Sequence, residues 1–400
     1  MKFILVNWYF AHEGVLGGCE SFHDKLARAL RGAGHDVEFV SYKIAATEAG
    51  INIPYDHLHY PEVEASILID RYLESHYSKS DGLIVRDAGV GGFSDLRLRE
   101  VDVFGNPYFT LYDRLLKAGK IDRLTYHHYH DFNTFLEKRT AEHSFQNVAL
   151  SSFMAEVEMR SLGIRCDKVI NNAVDVELFK PQDKKLLRKK WNVPLDCTVA
   201  CWVGSWTAVK GIEIMMQLSS KFRDIEWILV LKNSFPDHSL LPIWRAGEYS
   251  PINLPSRLPI TITRKLRDAS VILFASEKGN VKILNQLRPE QLSEVYGLSD
   301  FAVLPYICEG NSHAVLEACS SNLPLVITPV GLFWDFWDER VGYRVSDSCD
   351  TAEYVETVRK MLVEPSAFQP RKMIIEKELD LGTWGKRWVD YLVNLDRNRS

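Results

Sequence analysis

Short apolar runs alternate with stretches of helical periodicity along this chain. In the N-terminal half the predicted strands are residues 3–6, 37–40, 82–85, 123–126 and 148–150. The first helix is indicated by apolar side chains that recur with helical spacing, namely Phe22, Leu26, Ala29 and Leu30. Apolar strands separated by helices are typical of a parallel sheet covered on both faces. This half therefore predicts a doubly wound α/β domain of the Rossmann-like type.

The same alternation restarts after the charged stretch 184–190. The predicted strands of this second series are residues 198–203, 227–231, 271–274, 301–304 and 325–327. We predict a first domain at residues 1–181 and a second Rossmann-like domain at residues 182–382. Ligands of open α/β sheets bind beyond the carboxyl ends of the strands. The two domains are therefore expected to face a cleft that contains the active site.

The composition is that of an ordinary folded enzyme, since 46% of the 400 residues are apolar and 25% are charged. A formal net charge of −5 provides no basic surplus for binding nucleic acid. The seven cysteines are scattered, without the C-x-x-C spacing of a zinc site, which favours a reducing, cytoplasmic location. Apolar runs stay well below the roughly 20 residues of a membrane span, so we expect at most peripheral contact with the inner membrane face.

The strongest chemical signal is the segment 305–318, which carries two carboxylates, Glu309 and Glu317. Glu309 follows a predicted strand, whereas Ser312 is a candidate helix cap and Glu317 lies one helical turn after His313. Carboxylates accept hydrogen bonds from vicinal hydroxyls, and free amides at a helix start bind phosphate. This combination suits a nucleotide-sugar. The alternative is a solvent-facing Glu317 on a surface helix.

Together with residues 322–326, the Glu309-x7-Glu317 spacing resembles the signature of GT-B glycosyltransferases of the GT4 class. Further segments resemble this family in the same order: Gly17-Gly18 with 26–30 and 34–37, then 171–175 with Phe179 and Pro181, then Val203-Gly204 with Lys210-Gly211. Thr383-Trp384 resembles the start of the family's last helix, which implies that residues 383–400 return to the first domain.

The resemblance implies a retaining glycosyltransferase whose second domain binds a nucleotide-diphospho-sugar. Glu317 would bind the ribose hydroxyls, and Glu309 would bind hydroxyls of the transferred sugar. Lys210 would bind the diphosphate, whose charge grows as the glycosidic bond breaks. The predicted donor-binding residues are Gly17, Gly18, Gly204, Ser205, Lys210, Glu309, Gly310, Asn311, Ser312, His313 and Glu317. The predicted catalytic residues are His128, His130, Lys210 and Glu309.

The implied acceptor is a glycan, a lipid-linked molecule or a small molecule of surface polysaccharide or glycoconjugate synthesis. We expect no metal and no cofactor, because the sequence contains no D-x-D motif. The sequence departs from the family at Ser205, where an arginine is usual, and more mildly at Ala173, where glycine is common. Lys210, the helix amides or a residue such as Lys232 would then have to balance the diphosphate.

Three histidines, His127, His128 and His130, follow a predicted strand, where the family often has a histidine that contacts the donor sugar. His130, which precedes Asp131, best resembles the family pattern, and at least one of the three is expected to be an ordinary loop residue. A zinc site formed by the three is disfavoured, because adjacent positions on an extended chain point to opposite faces.

Other interpretations have some support in the sequence. The Gly89-x-Gly91-Gly92 spacing suggests a nucleotide-dependent oxidoreductase, although it is not G-x-G-x-x-G. The serine at position 205 favours a non-catalytic sugar-nucleotide-binding protein. Residues 111–123 carry Arg114, Lys117, Lys120 and Arg123 beside Leu115 and Leu116, which predicts either a solvated helix face or contact with an anionic membrane.

Overall fold

The computed structural model describes residues 1–13, 18–58, 60–78, 81–94, 99–205, 207–231, 260–266, 269–274, 280–285, 287–334 and 337–397. The chain forms two compact units. The first unit comprises residues 1–116, 122–172 and 381–400, and the second comprises residues 117–121 and 173–380. The first unit thus ends at residue 172 rather than 181, and it includes the chain again from residue 381 rather than 383.

A six-stranded parallel sheet with the order β2-β1-β3-β4-β5-β6 forms the first unit. Its strands are β1 (Lys2–Val6), β2 (Asp36–Val40), β3 (Leu83–Asp87), β4 (Glu100–Phe104), β5 (Gln146–Ala149) and β6 (Lys168–Val169). The helices between them are α1 (Gly18–Gly32), α2 (Tyr42–Glu48), α3 (Pro61–His76), α4 (Tyr108–Lys117), α5 (Arg123–Tyr126), α6 (Phe132–His143) and α7 (Arg160–Leu162). The predicted parallel α/β architecture is confirmed for this unit.

The predicted strand at residues 123–126 is wrong, because these residues form helix α5. The Asp122 carboxylate caps that helix by accepting a hydrogen bond from the Thr125 amide at 2.7 Å. The neighbour of β3 in the sheet is instead β4, which the apolar pattern did not indicate. Two carboxylates, Glu100 and Asp102, interrupt the apolar run of β4, although both side chains are buried.

Arg86 on β3 balances part of this buried negative charge. Its guanidinium donates to Asp70 Oδ1 at 3.1 Å and to the Val90 carbonyl at 2.7 Å, and it lies 2.7 Å from Glu100 Oε1. Burial raises the pKa of Asp102 to about 6, against the opposing effect of the Arg86 charge. The Arg86 cation therefore faces the three buried acids Asp70, Glu100 and Asp102. This cluster retains a proton at pH values where exposed carboxyl groups have lost theirs.

The glycine-rich loop after β3 packs on this charged cluster. The Gly91 amide donates to Ser66 Oγ at 2.9 Å, and a side chain at Gly91 would overlap the Arg86 guanidinium. The Gly89 amide donates to Thr140 Oγ1 at 3.1 Å. These glycines therefore have a packing role, which removes the sequence argument for a dinucleotide site at this loop.

An eight-stranded sheet with the order β14-β13-β12-β7-β8-β11-β10-β9 forms the second unit. Its strands are β7 (Thr198–Gly204), β8 (Ile225–Leu231), β9 (Ile260–Leu266), β10 (Ala269–Phe274), β11 (Val281–Asn285), β12 (Phe301–Leu304), β13 (Leu325–Ile327) and β14 (Gly342–Arg344). The strands from β14 to β11 pair in parallel, whereas β10 is antiparallel to both β9 and β11. A second Rossmann-like sheet is thus confirmed, with an antiparallel edge at the predicted strand 271–274.

The helices of the second unit cover a sheet whose core, among the described residues, is mainly apolar. They are α8 (Lys184–Lys190), α9 (Ile212–Lys221), α10 (Pro289–Leu298), α11 (His313–Ser320), α12 (Thr351–Val363) and α13 (Pro370–Glu376). Large side chains of β7 and β8, Trp202 and Trp227, are fully buried in this core. Burial of such aromatic rings removes large apolar areas from water and makes the sheet a rigid support for the loops at its carboxyl edge.

The final helix, α14 (Leu381–Arg397), packs on α1 within the first unit. The ring of Phe22 lies 5.7 Å from that of Trp384 and 5.3 Å from that of Trp388. Both tryptophans are buried, so the helix completes the apolar core on that face of the sheet.

Candidate active site

The loop after β7 contains the glycines and the lysine of the predicted phosphate-binding loop. It runs from Gly204 through a 3-10 turn at Ala208–Lys210 to Gly211, which precedes α9. A side chain at Gly204 would lie 3.0 Å from Lys210 Cβ, so the glycine leaves room for the lysine stem. Gly211 has a φ of +68°, and a side chain there would overlap the Pro305 carbonyl oxygen. Glycine is therefore required at both positions for the loop to approach the neighbouring strand end.

Lys210 and Glu309 form an ion pair across two neighbouring strand ends. Lys210 follows β7 and Glu309 follows β12, and these strands are adjacent and parallel. Both groups are only partly exposed, at 24% for the lysine and 14% for the glutamate side chain. Limited exposure strengthens the attraction relative to a surface pair, because water screens it less.

Two buried aromatic residues complete the surroundings of Lys210. Its ammonium nitrogen lies 5.1 Å from the ring centre of Tyr306, and its carbonyl accepts a hydrogen bond from Trp202 Nε1 at 2.9 Å. Ser205, where the family usually has arginine, is buried, and its hydroxyl lies 3.4 Å from that of Thr207. The Gly17 and Lys232 positions of the prediction lie outside the described residues, whereas Gly18 begins α1.

Helix α11 places Glu317 in a buried environment rather than on a surface helix. Seven of the eight residues of α11 are buried, and Glu317 itself is partly buried. The Tyr296 hydroxyl donates to Glu317 Oε2 at 3.2 Å. Ser312 occupies the N-cap position, and Asn311 and His313 beside it are buried. The helix start and both carboxylates thus belong to one region of the second unit, at the end of β12.

Two tyrosines of this region were missed by sequence reasoning. Tyr296 on α10 orients Glu317, and Tyr306 lies beneath Lys210. Burial raises the pKa of both phenols, so both remain neutral. Tyr306 lies within the 305–318 segment and could have been noticed there, whereas Tyr296 has no local sequence signal.

The histidines belong to the first unit and lie on helices rather than after a strand, so that part of the prediction is wrong. His130 is buried, with Nδ1 2.8 Å from Asp131 Oδ1 and its ring stacked on Tyr126 at 4.4 Å. His127 and His128 are exposed, and His127 Nδ1 lies 3.1 Å from Asp131 Oδ2. The hydrogen bond with His130, followed by that with His127, lowers the pKa of Asp131.

Asp131 therefore orients the imidazole of His130. Among the described residues, no group of three or more histidine, cysteine and acidic side chains has the arrangement of a metal site. The role predicted for His128 and His130 stays a prediction.

The basic segment 111–123 does not present a continuous apolar surface. Leu111 and Leu115 are buried in the first unit, and the Arg114 guanidinium lies 5.5 Å from the centre of the Phe153 ring. Lys120 belongs to the second unit and forms an ion pair with Glu213 of that same unit. Among the helices of the described chain, none is both long and apolar enough to cross a membrane.

Comparison with known proteins shows a similarity to glycosyltransferases. Residues 270–379 match the family model of glycosyl transferases group 1. Sucrose-phosphate synthase from Thermosynechococcus elongatus has a TM-score of 0.72 at 13% identity, over 99% of each chain. WaaG, a glycosyltransferase involved in lipopolysaccharide biosynthesis, has a TM-score of 0.69 at 14% identity, over 98% of this chain and 99% of WaaG. The chain therefore has the GT-B fold, and its residues 270–379 are similar to glycosyl transferases group 1.

Two further comparisons are informative. The D-inositol 3-phosphate glycosyltransferase 2 of Catenulispora acidiphila is 25% identical over 197 residues, which are 49% of this chain and 42% of that relative. The match therefore spans less than half the length of the curated relative. HepE from Anabaena, solved in complex with UDP-glucose, has a TM-score of 0.67 at 14% identity, over 98% of this chain and 100% of HepE.

Proposed function

We propose that this protein transfers a sugar from a nucleotide-diphospho-sugar to a hydroxyl group of an acceptor. The observation that carries the proposal is the grouping of Lys210, Glu309 and the buried start of α11 at adjacent strand ends of the second unit. A cation and helix amides suit a diphosphate, whereas carboxylates suit the hydroxyls of a sugar and a ribose. The same small region thus offers a complement to each part of such a donor.

The Lys210–Glu309 ion pair defines how the donor enters the proposed site. A diphosphate carries more negative charge than a carboxylate, so it competes with Glu309 for the Lys210 ammonium. Glu309 is then released to accept hydrogen bonds from the transferred sugar, while Glu317, oriented by Tyr296, accepts those of the ribose. Lys210 becomes the charge that stabilises the leaving diphosphate as the glycosidic bond breaks.

We further propose front-face attack with retention of the anomeric configuration and without a metal ion. Lys210 and the amides at the start of α11 supply the positive potential that a metal would otherwise provide. His130, oriented by Asp131, is the first candidate in the first unit for contact with the reacting sugar. The donor is then a substrate, and no cofactor takes part.

UDP-sugars are the first donors to test, because the HepE structure contains UDP-glucose. For the acceptor we propose a glycan, a lipid-linked molecule or a small polyol, as the lipopolysaccharide role of WaaG and the inositol phosphate named for the curated relative suggest. The corresponding process is the synthesis of a surface polysaccharide or another glycoconjugate, at a cytoplasmic site or at the inner membrane face.

A thermal-shift panel of nucleotide-sugars tests the proposal. A ligand at 100 times its dissociation constant adds about 2.7 kcal/mol of stability, which a melting curve resolves. We expect one nucleotide-sugar family to raise the melting temperature of the wild type and to have a smaller effect on Glu317→Ala. The exposed α12 variant Glu356→Ala is the matched control and should respond as the wild type does. If no nucleotide-sugar stabilises the wild type, the proposed function is wrong.

A further inference from the structure

The ring of Tyr306 lies directly against the Lys210 ammonium. The tyrosine side chain is 1% exposed, and Lys210 Nζ is 5.1 Å from the ring centre. At its other end, the Tyr306 hydroxyl donates to the Val203 carbonyl at 2.5 Å. Val203 is the penultimate residue of β7, immediately before Gly204. Tyr306 therefore connects the segment after β12 to the strand end that carries the phosphate-binding loop.

The Lys210 ammonium must be held in position if it is to stabilise a leaving group. Its side chain is a flexible stem with a strongly hydrated charge, and a cation lowers a barrier only when it is held in place before the reaction. The Trp202 indole fixes the Lys210 backbone through the hydrogen bond to its carbonyl. At its ammonium end, Lys210 forms an ion pair with Glu309 and lies over the ring of Tyr306.

These two partners behave differently when a donor arrives. Glu309 is an anion, and in the proposed site it moves from Lys210 to the sugar hydroxyls. The Tyr306 ring attracts a cation through its quadrupole without neutralising it, so it does not compete with the diphosphate. Burial also raises the pKa of the Tyr306 phenol, which keeps the ring neutral.

We propose that Tyr306 is a positioning residue, whose ring face holds the Lys210 ammonium in place while Glu309 exchanges that ammonium for the sugar hydroxyls of the donor. This inference rests on the proposed function of the site. It assigns the effect to the ring rather than to the hydroxyl group, and to Lys210 rather than to the donor directly.

Variants at position 306 separate the ring from the hydroxyl. Tyr306→Phe keeps the ring, whereas Tyr306→Leu and the more adaptable Tyr306→Met remove it. We expect kcat to fall about 10-fold in the Leu and Met variants, which corresponds to about 1.4 kcal/mol, and to stay within about twofold of the wild type in Tyr306→Phe. Tyr354→Phe is the matched control, because it removes a buried hydroxyl that lies 2.5 Å from Thr328 Oγ1 in the same unit.

A double-mutant cycle tests whether the effect passes through Lys210. In a Lys210→Ala background, the change Tyr306→Leu is expected to cause no further loss of kcat. Losses that multiply in the double variant would show that Tyr306 acts independently of Lys210, and the proposal would be wrong.

A second measurement does not require turnover. Lysines are reductively methylated with ¹³C, and the Lys210 resonance is identified by its absence in Lys210→Ala. We expect its ring-current shift to persist in Tyr306→Phe and to disappear in Tyr306→Leu and Tyr306→Met, with folding of each variant checked by circular dichroism. An unchanged Lys210 resonance in a folded Leu or Met variant overturns the proposal. Absence of transfer by the wild type contradicts only the proposed function, since this measurement needs no donor.

Discussion

Asp102→Asn is expected to stabilise the protein above about pH 6 and to have little effect near pH 4. Asp102 lies on β4 with its side chain fully buried, beside Arg86 on the paired position of β3. Burial raises its pKa from 3.8 to about 6, while the Arg86 charge and the hydroxyls of Thr140 and Ser144 oppose that rise. Arg86 also contacts Asp70 and Glu100, and burial raises the pKa of Glu100 to about 8, so three buried acids share this one cation.

The sign follows from proton binding by the folded and unfolded chains. Between about pH 4 and about pH 6 the folded protein keeps the Asp102 proton, whereas the unfolded chain has lost it. The stabilising contribution is therefore complete below the unfolded pKa and is lost as pH rises through the folded pKa. Since each pKa unit corresponds to about 1.4 kcal/mol, the loss between these limits is about 3 kcal/mol. Asparagine has no proton to lose, so the variant avoids this loss.

Scanning calorimetry of the wild type and Asp102→Asn from pH 4 to pH 8 measures the effect. The matched control is Asp36→Asn, which changes an exposed aspartate of the same unit and is expected to reproduce the wild-type curve. We expect the unfolding temperature of the wild type to decline relative to Asp102→Asn as pH rises. Parallel curves for the two proteins would mean that Asp102 ionises with an ordinary pKa in the folded state, which would refute the reasoning.

The remaining predictions concern the proposed site. Lys210→Ala is expected to lower kcat by about 10²–10³, which is the scale of losing one preorganised stabilising group. A near-wild-type kcat would reject the role of Lys210 at the diphosphate. The control is Lys221→Ala, which changes an exposed lysine at the end of α9. Glu317→Ala is expected to weaken donor binding by about 1.5–3 kcal/mol per lost charge-assisted hydrogen bond, measured by titration calorimetry, and equal affinities would contradict its role. Activity is expected to survive EDTA, and loss that is reversed by magnesium or manganese would exclude the metal-free mechanism.

The apolar pattern was sufficient for the architecture because every strand in the interior of a parallel sheet must be apolar on both faces. This is why β1, β3, β7, β8 and β12 were found from short apolar runs. The pattern failed at β4, where Glu100 and Asp102 are buried beside Arg86. No local rule distinguishes such a strand from a loop, because the compensating charge comes from a different strand.

The limits of the local pattern also explain why the three histidines were expected to follow a strand. Residues 123–126 were assigned to a strand on their local pattern, but the Asp122 cap and the following turns make them helical. The strand that follows β3 along the chain and pairs with it is β4. Which segment enters a sheet depends on competition between distant parts of the chain, which local sequence does not contain.

Within the candidate site, the residue types and their order can be read from the chain alone, because the spacing from Glu309 to Glu317 indicates a loop followed by a helical turn. The partners of these residues depend on how distant segments pack together. The pairing of β7 with β12 brings Lys210 to Glu309. Helix α10 supplies Tyr296, whose hydroxyl donates a hydrogen bond to Glu317. These contacts join residues about 20 to 100 positions apart, so their energies depend on the closure of the whole sheet rather than on any local propensity.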